Sequence, residues 1–259
     1  MRIIILCAGD GTRWNDYLGV KKHFIPIDNE PLIKRTIRLI NKYSPDAEIV
    51  VVGPNQKYKF AGCGLLIPKK NKEIDNDIDK ITNSMHIWSQ TDRTILMLGD
   101  VYFTDDAMRK IINFGKHRTT FFARPYASKI TGHEFRENFA ISFWPENQPR
   151  LKQIISQCCV PYRKRFCKPG SWELYGRLIS EDTVWQDSSS GIKKMFLLLK
   201  KVPFHQQIEV WFVISKGHLV LIDDWTDDFD DKHDYDTWME NKNLTELIDR
   251  HRLKEMIRR

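Results

Sequence analysis

No Cys-x-x-Cys pair occurs in the chain, and its five cysteines (Cys7, Cys63, Cys158, Cys159 and Cys167) are odd in number. A disulfide framework or a cysteine-built zinc site is therefore not expected, and reduced thiols are. Long apolar runs are also missing. The N-terminus carries one charge, then a short apolar run over residues 3–7, which is too short for a secretory signal. No later run approaches the roughly 20 apolar residues of a membrane helix. No motif of the common nucleic-acid-binding modules is present, so nucleic acid is not an expected partner. Together these absences lead to an expectation of a cytoplasmic protein with no membrane span.

What is present is ordinary globular composition with a basic balance. The 259 residues are 41% hydrophobic and 29% charged, with a net charge of +7. That length allows a sizeable buried core. Much of the positive charge sits in local runs: Lys69, Lys70 and Lys72; Arg163, Lys164 and Arg165; and the tail over residues 250–259. Such charge favours anionic ligands, although each run alone also reads as a solvated face.

Hydrophobic periodicity gives an alternating α/β order. Residues 2–7 and 49–52 read as buried parallel strands, with a helix opened by Pro31 between them. This βαβ unit implies a parallel sheet. Further strands are expected at 65–67, 94–98, 119–123 and 139–144, and helices at 79–90, 107–114 (capped by Asp105 or Asp106), 149–158, 172–179 and 192–200. Residues 209–214 and 218–222 read as a hairpin around Lys216-Gly217. An acidic loop and one or two terminal helices follow. No repeat or linker stands out. The expectation is one α/β domain over residues 1–259, with a smaller insertion around 124–208.

The chemistry-bearing segments begin with Leu6-Cys7-Ala8-Gly9-Asp10-Gly11-Thr12-Arg13, directly after the first strand. Open α/β sheets bind ligands at that edge. Glycines let backbone N–H groups approach phosphate oxygens, and an arginine can grip phosphate in a bidentate way. The segment lacks the Gly-Lys-Ser/Thr ending of a Walker A loop, and its glycine spacing is not that of a dinucleotide-binding turn. A second segment is Lys22-His23-Phe24-Ile25-Pro26-Ile27, followed by Glu30-Pro31-Leu32-Ile33. A third is Asn83-Ser84, before the third main strand. A fourth is Leu96-Met97-Leu98-Gly99-Asp100, which puts a carboxylate at the end of a buried strand. Such a group is costly there unless paired or bound to metal. The fifth runs from Asp223, where eight of the fourteen residues 223–236 are Asp. Most of these eight read as solvated, but the density of oxygen ligands suits a hard cation.

In order and spacing these segments resemble the signature of the sugar-nucleotide pyrophosphorylase and related nucleotidyltransferase superfamily. That signature runs Leu-Ala-x-Gly-x-Gly-Thr-Arg, Lys-x-Leu-x-Pro-Val, Lys-Pro-Leu-Ile, then a Gly-Asp element and a late acidic element. The match covers the first ~100 residues closely and the late element loosely. Asp10 is acidic within the phosphate loop, Glu30 replaces the usual Lys or Arg, Lys21 adjoins Lys22, and the Thr-Pro-Glu centre of the late motif is lost.

The resemblance implies a Rossmann-like three-layer α/β/α fold with a mostly parallel mixed sheet, of the GT-A-like kind. It implies that Ala8, Gly9, Gly11, Thr12 and Arg13 contact the triphosphate and that Lys22 steadies the phosphates. Asn83 and Ser84 would border the nucleobase. Asp100 would hold Mg²⁺ (or Mn²⁺), joined by Asp228 and, next in order, Asp230; Asp223, Asp224 and Asp227 are alternatives. The implied reaction transfers NMP from an NTP to a phosphorylated small molecule, releasing pyrophosphate. The acceptor is a sugar 1-phosphate by default. Alcohol phosphates such as phosphocholine, or the pterin of the molybdenum cofactor pathway, are also open. Two rival readings stand beside it: a GT-A-type glycosyltransferase, and a nucleotide-binding protein without turnover.

Overall fold

The computed structural model describes residues 1–9, 11–68, 77–125, 128, 131, 136–158, 170–186 and 217–257, excepting the side chains of 180–186 and 246–257. Its centre is a strand, β1 (Arg2–Leu6), whose Ile3, Ile4 and Ile5 are wholly buried. A strand apolar on both faces needs cover on both, which is why alternation is absent here.

Around β1 the chain lays down β2 (Pro26–Ile27), β3 (Glu30–Pro31), helix α1 (Leu32–Tyr43), β4 (Glu48–Val52), β5 (Cys63–Leu66) and α2 (Asp77–Ser84). Then come β6 (Thr94–Leu98), β7 (Val101–Tyr102), α3 (Asp105–Asn113), β8 (Thr120–Ala123), β9 (Asn138–Phe143), α4 (Gln148–Cys158) and α5 (Ser171–Gln186). The last described elements are β10 (Leu219–Leu221), β11 (Asp227–Asp228) and α6 (Lys232–Ile257). Seven strands form one sheet in the order β10-β8-β9-β6-β1-β4-β5. β1 pairs in parallel with β4 and β6, while β9 runs antiparallel to both β6 and β8. Helices α1 and α3 pack together, and α2, α4 and α5 form a second group. The fold is the Rossmann-like three-layer α/β/α arrangement with a mostly parallel sheet.

Two parts of this architecture position the site. First, the β1–β6 register places Leu6 opposite Leu98, so the loops that follow both strands leave the same sheet edge. Second, the two-residue ribbon β7–β11 pairs Asp228 with Val101 and Asp227 with Tyr102. This brings the late acidic segment, more than a hundred residues away in sequence, onto the turn after β6. A separate apolar cluster of Trp14, Ile25, Ile27, Leu32, Tyr102, Phe229, Tyr235 and Trp238 lies beneath that junction. The loop after β1 is tied to α6 by the edge-to-face contact of Trp14 with Tyr235.

Several sequence expectations change. Helix α3 is capped by Thr104, whose Oγ1 accepts from the Ala107 N–H at 3.0 Å; Asp105 and Asp106 lie in its first turn instead. The helix expected over 79–90 stops at Ser84 and continues as a 3-10 turn over Met85–Ile87. β10 runs parallel to β8 at the sheet edge, and its expected hairpin partner at 209–214 lies outside the described residues, as does the helix expected at 192–200. Cys7 and Cys63 are buried free thiols. No described helix is long and apolar enough to cross a membrane.

Candidate active site

The loop after β1 begins with Ala8, which is nearly buried, and Gly9; Asp10 lies outside the described residues. The Gly11 carbonyl accepts from the N–H groups of Trp14 and Asn15 at 3.1 and 3.2 Å, closing a turn that leaves Thr12 and Arg13 exposed. Lys22 and His23 follow on a 3-10 turn and are buried.

Across the edge stands Asp100, 6% exposed. Gly99 before it is a close-approach glycine. A Cβ there would collide with Cys7 Sγ and meet His23 at 3.2 Å, so the turn after β6 can sit tight against β1 only without a side chain. Lys22 Nζ makes a salt bridge with Asp100 Oδ2. It also lies 3.8 Å from Asp230, while Arg13 pairs with Asp230 at 2.7 Å. Four residues from three separate segments thus form one alternating charge cluster.

Electrostatics within the cluster are uneven. Burial would raise the Asp100 pKa, but Lys22 and Lys80 outweigh it and hold the carboxyl well below the usual range. Burial would lower the Lys22 pKa, and Asp100 reverses that too. Asp228 shows the opposite balance. It is pushed well above the usual range by burial and by the neighbouring Asp230, Asp227 and Asp100. Among the described residues no salt bridge falls on it. Asp230 is likewise raised, by burial first, against the pull of Lys22. Glu137, just before β9, is raised by burial and by Asp228 and Asp230, so it faces the same cluster.

The late acidic segment resolves into individual roles. Asp227 is fully buried and accepts from Arg124, from Ser128 Oγ at 2.5 Å and from Thr131 Oγ1 at 3.1 Å. Asp224 is exposed; it accepts from Thr104 Oγ1 at 2.6 Å and from the Thr226 N–H at 2.7 Å. Asp223 is exposed as well. Asp231 and Asp234 cap α6 reciprocally: Asp231 Oδ1 accepts from the Asp234 N–H at 3.2 Å and Asp234 Oδ2 from the Asp231 N–H at 3.1 Å. Asp236 accepts from the Tyr17 hydroxyl at 3.0 Å. The reading of most of these carboxylates as merely solvated is therefore corrected: most have a specific partner or face the cluster.

Of the residues expected at the nucleobase, Asn83 is half-buried and donates through Nδ2 to the Asp79 carbonyl at 2.8 Å. Ser84 is wholly buried; its hydroxyl donates to the Ile81 carbonyl and accepts from Trp88 Nε1 at 3.1 Å. The Ser84 side chain thus faces the interior. The motif reading did not find Lys80 or Glu137. No motif marks them, because tertiary packing alone brings them to the edge. An open depression of about 350 Å³, lined by Arg13, Asp231, Lys232, His233 and Asp236, lies beside the cluster.

A hard divalent cation suits this donor set. The carboxylates of Asp100, Asp228 and Asp230 repel one another, and Mg²⁺ is commonly held by one or two carboxylates together with substrate phosphates and water. Among the described residues no group of three or more His, Cys, Asp or Glu side chains is arranged to hold a metal ion.

No curated protein matches the sequence. Among solved structures, the chain is similar to the CTP:phosphocholine cytidylyltransferase of Streptococcus pneumoniae, at 15% identity and TM-score 0.47, over 95% of this chain and 98% of that one. It is also similar to the inositol-1-phosphate CTP transferase of T. maritima, at 13% identity and TM-score 0.46, over 67% of this chain and 78% of that one. Residues 3–145 match the family described as the MobA-like NTP transferase domain, and this stretch holds the glycine loop, Lys22 and Asp100. With more than half of the chain matched, the protein belongs to the MobA-like NTP transferase family, a family of nucleotidyltransferases.

Proposed function

We propose that the protein transfers the nucleoside monophosphate of an NTP to a phosphorylated small molecule and releases pyrophosphate. The observation that carries this reading is the charge cluster at the glycine loop, where Arg13 and Lys22 interlock with Asp100 and Asp230 beside the cation-poor Asp228. A basic site for phosphates and an acidic site for a cation then lie side by side, as nucleotidyl transfer requires.

In this reading the backbone of Ala8, Gly9, Gly11 and Thr12 cradles the triphosphate, and Arg13 and Lys22 bind its oxygens. Asn83 contributes to the nucleobase pocket. Asp100 and Asp228 would hold Mg²⁺, or Mn²⁺, with Asp230 as the next candidate, and the bound metal would neutralise charge on the α-phosphate. The acceptor's phosphate oxygen is already a nucleophile near neutral pH, so no general base is needed. It attacks the α-phosphorus in line, the bond to the β-phosphate oxygen breaks, and Arg13 and Lys22 stabilise the departing pyrophosphate. Catalysis rests on positioning and charge neutralisation. Asp227, by holding Arg124, Ser128 and Thr131, fixes the stretch after β8 against Asp228, the metal carboxylate that follows it.

The test is a thermal-shift screen of CTP, UTP, GTP, ATP and dTTP, each with and without Mg²⁺, followed by pyrophosphate release with sugar 1-phosphates and phosphocholine as acceptors. A ligand at 100 times its dissociation constant adds about 2.7 kcal/mol of stability. A base-selective, Mg²⁺-dependent shift with acceptor-dependent pyrophosphate release is the expected result. No shift with any NTP, but one with a nucleotide sugar and Mn²⁺, would replace this reading with the glycosyltransferase one.

A further inference from the structure

Helix α2 carries a lysine that the family signature does not mark. The Lys80 side chain is only 14% exposed and turns away from solvent toward the loop after β1. A Cβ placed on Gly9 would stand 3.1 Å from Lys80 Cε and 3.5 Å from its Nζ. The lysine thus occupies the space that the missing side chain of Gly9 leaves open. Its ammonium pairs with Asp77 one turn earlier, at 3.1 Å. A lysine has three N–H donors, and among the described residues only this one is used.

A purely structural ion pair explains this arrangement poorly. A lysine serving only Asp77 would gain as much on the helix surface, where an i,i+3 pair avoids desolvation. Here the ammonium is instead buried beside Lys22, and each cation disfavours the charge of the other. Asp77, Asp100 and Asp230 offset that cost, so Lys80 remains a firm cation at neutral pH. Two buried ammonium groups and an arginine therefore converge on a loop of backbone N–H donors. A chain of phosphates satisfies all of them at once.

We infer that Lys80 is a third cation of the NTP site, held over Gly9 by Asp77 and supplying its free N–H groups to the polyphosphate of the nucleotide. The inference rests on the function proposed above and adds a phosphate-binding residue to it. Asp77 is a positioning residue, acting through Lys80. The roles separate: Lys22 spans toward Asp100 on the metal side, whereas Lys80 closes the loop from the helix side. Gly9 leaves the Lys80 stem room to lie along the loop, since a Cβ there would stand only 3.1 Å from Lys80 Cε.

The test is isothermal titration of the full chain with the NTP selected by the thermal-shift screen, and with inorganic pyrophosphate. It uses wild type, Lys80→Met, Lys80→Arg and Asp77→Asn, with melting temperatures recorded alongside. The expected result is about ten-fold or greater weakening of NTP and pyrophosphate binding by Lys80→Met, with partial recovery in Lys80→Arg. Asp77→Asn should weaken binding less than Lys80→Met, because the cation remains. Should Lys80→Met bind both ligands like wild type, the inference falls while the proposed function stands. It falls likewise if Lys80→Met and Asp77→Asn lower the melting temperature equally and leave pyrophosphate affinity unchanged. Failure of the wild type to bind any NTP overturns the proposed function itself, and Lys80's role with it. If Lys80→Met fails to fold, Lys80→Gln carries the test: weakened pyrophosphate binding supports the inference and wild-type binding overturns it.

Discussion

At the scale of single residues, the site holds two groups whose ionisation opposes folding. Asp228 is buried among like charges, so an amide of the same shape removes repulsion without opening a cavity. Asp228→Asn should raise the stability of the metal-free protein by about 1 kcal/mol, and lower turnover by about a hundred-fold or more. Urea denaturation in EDTA, beside a pyrophosphate-release assay, checks both halves; a stability loss would mean that the carboxylate has a partner. His23 is the second group. It is buried, its Nδ1 lies 2.9 Å from the Tyr58 hydroxyl, and burial pushes its pKa down from 6.5 to about 3. The unfolded chain therefore binds a proton that the folded chain refuses. Stability is complete above pH 6.5 and is lost as pH falls toward 3. Between pH 6.5 and 5 this amounts to roughly 1.5–2 kcal/mol. In His23→Gln that component should vanish, so wild type should lose more stability than the variant over this window. The raised carboxyls of Asp228 and Glu137 act with opposite sign, since protonating them favours the folded state, and they cancel in the difference. Equal pH slopes for the two proteins would show that His23 titrates normally.

At the scale of elements, caps and short ribbons do more positioning than the long helices. Thr104 caps α3 and also donates to Asp224, so one hydroxyl joins the helix start to the acidic segment. Thr104→Ala should cost about 1 kcal/mol in denaturant titrations, against less than about 0.5 kcal/mol for the exposed Asp106→Ala. A larger loss at Asp106 would return the capping role to one of the two aspartates, Asp105 and Asp106, that sequence alone favours. The sequence reading erred here for a physical reason: Thr104, Asp105 and Asp106 are all good caps, and only tertiary packing decides where the helix begins. The central strands were legible because β1, β4 and β6 are buried on both faces and carry near-unbroken apolar runs. The glycine loop and Asp100 were legible because both directly follow such strands. The β7–β11 ribbon was not, since two residues on each side leave no periodic trace. With it went the choice among the late aspartates, the inward turn of Ser84, and the convergence of Lys80 and Glu137. Ser84 turns inward through the local partners Ile81 and Trp88, which no periodicity marks, and the others depend on contacts between segments far apart in sequence.

At the scale of the whole molecule, the cluster joins three parts of the chain through charges that neutralise one another in the absence of ligand. Arg13 sits on Asp230, and Lys22 on Asp100. If an NTP takes Arg13 and Lys22 without a metal, Asp100 and Asp230 lose their cations beside Asp228, and the desolvated carboxylates repel. If a metal takes Asp100 and Asp228 without an NTP, Lys22 is left buried and poorly paired. Each ligand repairs the imbalance that the other creates, so their binding free energies must be coupled, and coupled equally in both directions. Titration with the selected NTP should therefore give at least about ten-fold tighter binding in Mg²⁺ than in EDTA, a coupling of about 1.4 kcal/mol or more. The double variant Asp100→Asn, Asp228→Asn removes the carboxylates that would be left exposed to one another. It should bind metal-free NTP better than wild type does and respond little to Mg²⁺. If the double variant keeps the wild-type response to Mg²⁺, the metal is carried by the nucleotide alone and the acidic half of the cluster serves the fold.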